Sequence, residues 1–69
     1  SLDQAERAYR EAARINPKYL PAHLKLIQLY QKRKKFEEAK LQAQVLKKEL
    51  PKMAVLPQVQ AALKGGKGP

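Results

Sequence analysis

Apolar residues recur every three or four positions along the chain, in segments separated by prolines, which is the spacing of amphipathic helices. Ser1 and Gln4 match a capping box, so we expect the first helix to begin at once. It should end at Asn16, because a residue that precedes a proline is pushed out of the α region. The apolar face of this predicted helix, over residues 1–16, consists of Leu2, Ala5, Ala8 or Tyr9, Ala12 and Ile15.

The second segment predicts a helix from about Leu20 to Arg33. Pro21 is compatible with it, because the first turn of a helix has no intrahelical N–H partner to lose. One face of this helix is expected to enter the core, and it consists of His23, Leu26, Ile27 and Tyr30.

A third helix is predicted from near Phe36, with acidic residues in its first turn, to the position before Pro51. A weaker fourth helix is predicted over residues 54–64, and residues 65–69 form a tail with no folding signal. The apolar face expected for the fourth helix consists of Val55, Val59, Ala62 and Leu63.

The pattern repeats. Pro17 and Pro51 are 34 residues apart, and so are Ala5 and Ala39. A pair of helices that recurs every 34 residues has the period of the tetratricopeptide repeat, and the chain resembles that family. The positions that carry the resemblance are Leu26, Tyr30, Phe36, Ala39 and Pro51 in one full repeat, and Ala5, Tyr9, Ala12 and Pro17 before it.

By this resemblance, residues 20–51 are one full repeat, residues 1–16 are the second helix of a preceding repeat, and residues 54–64 are a capping or partial-repeat helix. The fold it implies is all-α: about four helices in antiparallel helix-turn-helix units, forming part of a right-handed superhelix. We expect a TPR-like helical domain over residues 1–64.

Four departures from the family pattern are specific. His23 replaces a tryptophan, Ile27 replaces a small residue, and Ala43 and Leu46 invert a large-then-small order. Exchanging bulk between neighbouring turns usually costs under about 1.5 kcal/mol, so the fold should survive it. Lys34 stands at the usual turn glycine, and a positive φ there would cost about 1 kcal/mol.

Composition and charge set limits on function. The 69 residues suffice for one small domain and include no cysteine, and no apolar run is long enough to span a membrane. We therefore expect a soluble protein, with the cytoplasm favoured over a bacterial periplasm. The net charge is +9, and all of the excess lies after Pro17, which raises affinity for polyanions without selecting one.

The sequence contains no set of residues with the types and spacing of a catalytic site. His23 is the single histidine and lies among apolar residues, where a core histidine with one hydrogen bond is the simplest interpretation. Glu37 and Glu38 complement a helix dipole rather than form an acid–base pair. We expect no enzymatic activity, no metal and no cofactor.

Binding is the function that the resemblance implies. Stacked repeats form a superhelix whose concave face is lined by the first helix of each pair. The chain is therefore expected to be a protein–protein interaction scaffold for a peptide or a partner helix, and the partners it could take include acidic ones. The groove positions that the resemblance assigns are Pro21, Leu24, Gln28, Gln31 and Lys32.

Two alternatives remain open at this stage. A basic patch formed by Lys25, Arg33, Lys34, Lys35 and Lys40 could bind nucleic acid or an anionic membrane, and it ranks behind the groove because phosphate contacts require no particular spacing. Exposed apolar faces on the terminal helices could instead pair with another copy, as a homo-oligomer or as a segment of a longer solenoid.

Overall fold

The computed structural model describes residues 1–65, so most of the predicted tail, residues 66–69, lies outside the described part. Four α-helices follow one another in the chain: α1 Leu2–Ile15, α2 Leu20–Lys32, α3 Phe36–Glu49 and α4 Pro57–Leu63. A short 3-10 helix, Pro51–Val55, joins α3 to α4. Residues 1–65 contain no strand, and the predicted all-α class is confirmed.

The helices pack in chain order. Within residues 1–65, α2 packs against α1 on one side and α3 on the other, whereas α1 makes no contact with α3. The fourth helix packs mainly against α3 and more lightly against α2. Short links require each long helix to run antiparallel to the next, so α2 is the central element and the only one with two long neighbours.

The ends of α1 are set by local chemistry. The Ser1 hydroxyl accepts the N–H of Gln4 at 3.2 Å, and the Gln4 side chain accepts from the N-terminal amine at 3.5 Å, which completes the predicted capping box. At the other end the N–H of Asn16 closes the last turn on Ala12 at 2.9 Å. Asn16 itself has φ −133° and ψ 89°, outside the helical region, as Pro17 requires.

The turn after α2 keeps the left-handed geometry that a glycine usually supplies in the family that the chain resembles. Lys34 has φ +60°. The N–H of Lys35 donates to the carbonyl of Tyr30 at 2.7 Å, and the N–H of Lys34 donates to that of Gln31 at 3.0 Å. These two hydrogen bonds satisfy carbonyl groups at the end of the helix. The left-handed conformation of Lys34 costs more free energy than the same conformation would cost for a glycine.

The core lies on the faces that α2, α3 and α4 turn toward one another. The predicted inner face of α2 is confirmed, because His23, Leu26 and Ile27 are each 1% exposed and Tyr30 is 6% exposed. The inverted pair on α3 is also inside, with both Ala43 and Leu46 fully buried. The remaining buried core residues are Ala22, Ala39, Ala54, Val59 and Ala62.

The fourth helix differs from its prediction. A helix was expected over residues 54–64, but Ala54 and Val55 end the 3-10 helix and α4 begins only at Pro57. Leu56 is extended, with ψ 137°, because the residue before Pro57 is excluded from the α region. This break removes Val55 from the predicted apolar face and leaves it 75% exposed, while Val59 remains fully buried.

The first helix is less buried than its apolar pattern indicates. No residue of α1 is fully buried, and Ile15 remains 69% exposed and Leu2 42% exposed. Tyr9 and Ala13 are the residues of α1 that pack on the core. The reason is geometric: α1 contacts α2 alone, so about half of its surface has no neighbour among the described residues.

A candidate peptide-binding face on helix α2

One side of α2 is open to solvent, and most of the predicted groove residues lie there. Pro21, Gln28 and Lys32 are exposed, at spacings of seven and four residues that place them on one side of the helix. Lys25 is exposed on the same side. We call this side, opposite the buried Leu26, the open face of α2.

The other two predicted groove residues, Leu24 and Gln31, lie at the boundary between the open face and the buried side of α2. Leu24 is half-buried and packs against the core cluster. Gln31 is also half-buried, and its amide nitrogen is inaccessible and has no hydrogen-bond partner among residues 1–65. The structure therefore places an apolar side chain and an amide beside the open face, with their backbones held by the same helix.

Arg33, which was assigned to the basic patch, is engaged elsewhere. Its Nη1 donates to Asp3 at 2.7 Å and to Glu6 at 3.2 Å, which ties the end of α2 to the first turns of α1. The hydrogen bond from Arg33, with its positive charge, lowers the pKa of the Asp3 carboxyl from its ordinary value. With two carboxylates beside it, this guanidinium contributes little free charge to a phosphate site.

The four lysines of the predicted basic patch lie on different elements. Lys34 and Lys35 form the turn between α2 and α3, and Lys40 is half-buried on α3. Lys25 lies seven residues before the end of α2, a distance of about 10 Å along the helix at a rise of 1.5 Å per residue. The fold brings Lys25 to the open face of α2 rather than to the turn.

The single histidine is a structural residue with two hydrogen bonds, one more than expected. Its Nε2 lies 2.5 Å from the carbonyl oxygen of Pro17, and its Nδ1 lies 2.9 Å from the amide nitrogen of Gln42. Because a carbonyl only accepts, Nε2 carries the proton and Nδ1 accepts from Gln42. His23 thus joins the link before α2 to α3, and both ring nitrogens are occupied.

Among residues 1–65, no group of three or more histidine, cysteine, aspartate or glutamate side chains could hold a metal ion. In the same part of the chain, no helix has the length and hydropathy needed to cross a bilayer.

Sequence reasoning missed one surface feature. A shallow depression of about 350 Å³ lies where the link before α2 meets the end of α3. The signal for it was present, because the dipeptide Pro-Lys occurs at residues 17–18 and again at residues 51–52, one repeat period later. The lining residues are Lys18, Glu49, Leu50, Pro51, Lys52 and Met53.

Antiparallel helices with a 34-residue period, and a central helix with one open face, define an α-helical repeat protein. Comparison with protein families agrees: the model described as Tetratricopeptide repeat matches residues 1–64, and the chain belongs to this family. Repeats of this family generally mediate protein–protein interactions and are typically non-enzymatic scaffolds. Searches of curated proteins and of solved structures give no significant match.

Proposed function

We propose that the open face of α2 binds a peptide segment or a helix of a partner protein. The observation that supports this most directly is the row of exposed residues on the central helix, Pro21, Gln28 and Lys32, with Leu24 beside it. A central helix that buries one side and leaves the other open to solvent offers a rigid surface, and rigid surfaces lose less entropy on binding.

Each residue has a distinct role in this proposal. Leu24 contacts an apolar side chain of the partner, and Gln28 pairs with its backbone groups. Lys32, in the last turn of α2, attracts a carboxylate. The order along the helix, from apolar to amide to cationic, favours a partner whose apolar residue lies several positions away from an acidic one.

Gln31 adds an energetic argument. Its amide nitrogen is buried without a partner, and an unsatisfied buried donor costs about 1–3 kcal/mol. Rotation of this side chain toward a peptide carbonyl would satisfy the donor and recover part of that cost. A peptide carbonyl placed beside Gln31 would therefore meet an amide donor that makes no hydrogen bond within residues 1–65.

The experiment selects peptides from a random display library on the whole chain and measures their affinity by calorimetry. The test variant changes Leu24→Ser and Lys32→Gln. The matched control changes Leu41→Ser and Lys48→Gln, which removes an exposed leucine and an exposed lysine from the outer side of α3. We expect the test variant to lose at least about tenfold in affinity, or about 1.4 kcal/mol, and the control to bind like the parent.

Because Leu24 also packs on the core, a second variant tests the face without that complication. Lys32→Gln by itself changes only an exposed residue, and it should weaken acidic peptides selectively while the thermal midpoint stays close to that of the parent. Equal losses in the test and control variants, or no loss in either, would remove the open face of α2 as the binding surface.

A further inference from the structure

A surface depression lies at the links that contain Pro17 and Pro51, which are the seams between successive helix pairs, away from the open face of α2. Lys18 follows Pro17 in the link between α1 and α2, and Lys52 follows Pro51 in the link after α3. The two lysines are 34 residues apart, at equivalent positions of the repeat, and both line the same depression of about 350 Å³. The link before α2 and the link after α3 therefore lie next to each other in the folded chain.

The floor of the depression is apolar and held in place. Leu50 and Met53 are half-buried and pack against the core. The N–H of Met53 donates to the carbonyl of Leu50 at 2.9 Å, which fixes the turn that carries both side chains. A floor anchored in this way does not have to be ordered when a ligand arrives.

The rim carries opposite charges in unequal numbers. Lys18 and Lys52 are exposed, and Glu49 is half-buried at the end of α3. On the Lys18 side the backbone is fixed as well, because the N–H of Lys18 donates to the side-chain oxygen of Asn16 at 3.2 Å. The rim therefore has a net positive charge next to an apolar floor.

We propose that this depression binds an acidic segment of a partner protein, with one large apolar side chain on the floor and flanking carboxylates paired with Lys18 and Lys52. Its volume is at the low end of ligand sites, which span about 300–1,000 Å³, so it suits one anchoring side chain rather than a whole helix. The apolar contact supplies the affinity, and the two lysines select acidic sequences.

A second copy of this chain does not fit the same surface. The net charge of +9 repels another copy, and the sequence has only six acidic residues. Glu49 lines the depression itself, and Glu37 and Glu38 stabilise the first turn of α3. The other three acids are paired with arginines within residues 1–65: Asp3, Glu6 and Glu11.

The test uses the whole chain and a short fluorescent peptide that has a central leucine between glutamates, measured by fluorescence anisotropy. Lys18→Gln combined with Lys52→Gln should weaken binding about three- to tenfold, because each exposed ion pair contributes modestly. Lys47→Gln combined with Lys64→Gln removes the same charge from exposed positions outside both the depression and the open face of α2, and is the matched control. All four lysines are exposed, so folding should be unaffected.

A change in the opposite direction strengthens the test. Glu49→Gln removes the negative charge from the rim and should tighten binding about two- to threefold, which a general loss of fold could not produce. Replacing the peptide's leucine with serine should abolish most of the binding, since the floor then has no anchor.

The proposal is independent of the open face of α2, so the Leu24 and Lys32 variants should bind this peptide normally. Three results would each overturn it: equal affinity in the Lys18/Lys52 variant and its control, no gain with Glu49→Gln, or a peptide without leucine that binds as well. The last result would identify the basic surface as a polyanion site instead, with binding that falls steeply as salt rises.

Discussion

The guanidinium of Arg33 donates to the carboxylate of Asp3 at 2.7 Å, across 30 residues of sequence. The same nitrogen reaches Glu6 at 3.2 Å, and Glu6 also accepts from Arg10 at 3.3 Å. The first turns of α1 and the residue that follows α2 are thus joined by a small ion-pair network. No residue of α1 is fully buried, so apolar packing alone holds this helix weakly. The ion-pair network adds polar contacts between α1 and the end of α2.

The first prediction concerns acid stability. The pKa of Asp3 is lowered by its hydrogen bond to Arg33, so the folded state holds this carboxyl ionised more firmly than the unfolded state does. The stabilisation is present above the ordinary aspartate value of 3.8 and is lost as the pH falls through the lower, folded value. Urea unfolding at about pH 6 and about pH 3 should show Asp3→Asn destabilised relative to the parent at the first pH and less so at the second.

Arg33→Gln is the control for this effect, because it removes the hydrogen bond and the charge that most lower the pKa of Asp3. Most of the stabilisation that comes from ionised Asp3 should be lost with it. In the Arg33→Gln background, Asp3→Asn should change the free energy of unfolding little at either pH. A pH-dependent loss that persists in this background would show that Arg33 is not its cause.

The second prediction concerns the left-handed turn after α2. Lys34→Gly should raise the free energy of unfolding by about 1 kcal/mol, because φ +60° carries a penalty for lysine and none for glycine. The same substitution at Lys32, the last residue of α2, should lower it by about 0.5–1 kcal/mol, since glycine is unfavourable in a helix. Thermal denaturation should show the two midpoints moving in opposite directions.

The third prediction compares two leucines of α3. Leu46 is fully buried and Leu41 is 58% exposed, so Leu46→Ala should cost about 3 kcal/mol and Leu41→Ala within about 0.5 kcal/mol. Both lie inside the same helix, so the intrinsic helical preference of alanine cancels in the comparison. Urea unfolding measures both values, and similar costs would contradict the packing described for α3.

The fourth prediction concerns the buried histidine. Gln42→Leu removes the amide that donates to His23 Nδ1 and leaves a buried acceptor unpaired, at a cost of about 1–2 kcal/mol. Gln44→Leu, at an exposed position of the same helix, is the matched control and should change the free energy of unfolding by less than about 0.5 kcal/mol. Equal effects at the two glutamines would mean that the His23 contact does not stabilise the fold.

Much of the fold follows from residues that are close in sequence. The capping box of Ser1 and Gln4 and the stop before Pro17 are interactions within one turn of chain, and both were predicted. The positive φ of Lys34 was expected only if the turn kept the geometry of the glycine usual at that position, and it does. The fourth helix was placed less well, because Pro57 acts on Leu56 and moved the start of α4 beyond its expected position. The division of the chain into one full repeat with partial repeats on either side stays a prediction.

The candidate site was predicted only in part. The spacing of Pro21, Gln28 and Lys32 along one helix was enough to place them on a common side. The hydrogen-bonding state of Gln31 could not be foreseen, since it depends on which groups the packing brings near its amide. Arg33 was assigned to a basic patch because its charge is visible in the sequence and its partners, Asp3 and Glu6, are not.

By itself the sequence determined the helical class, the 34-residue period and the ends of α1, α2 and α3 to within about a residue, because these depend on backbone preferences and on contacts within a few residues. Only the tertiary structure decided which side of α1 is left without a neighbour, which carboxylates neutralise Arg33, and that Lys18 and Lys52 share one depression. Those relationships join residues about 30 positions apart, and packing of the helices, not local preference, sets the distances between them.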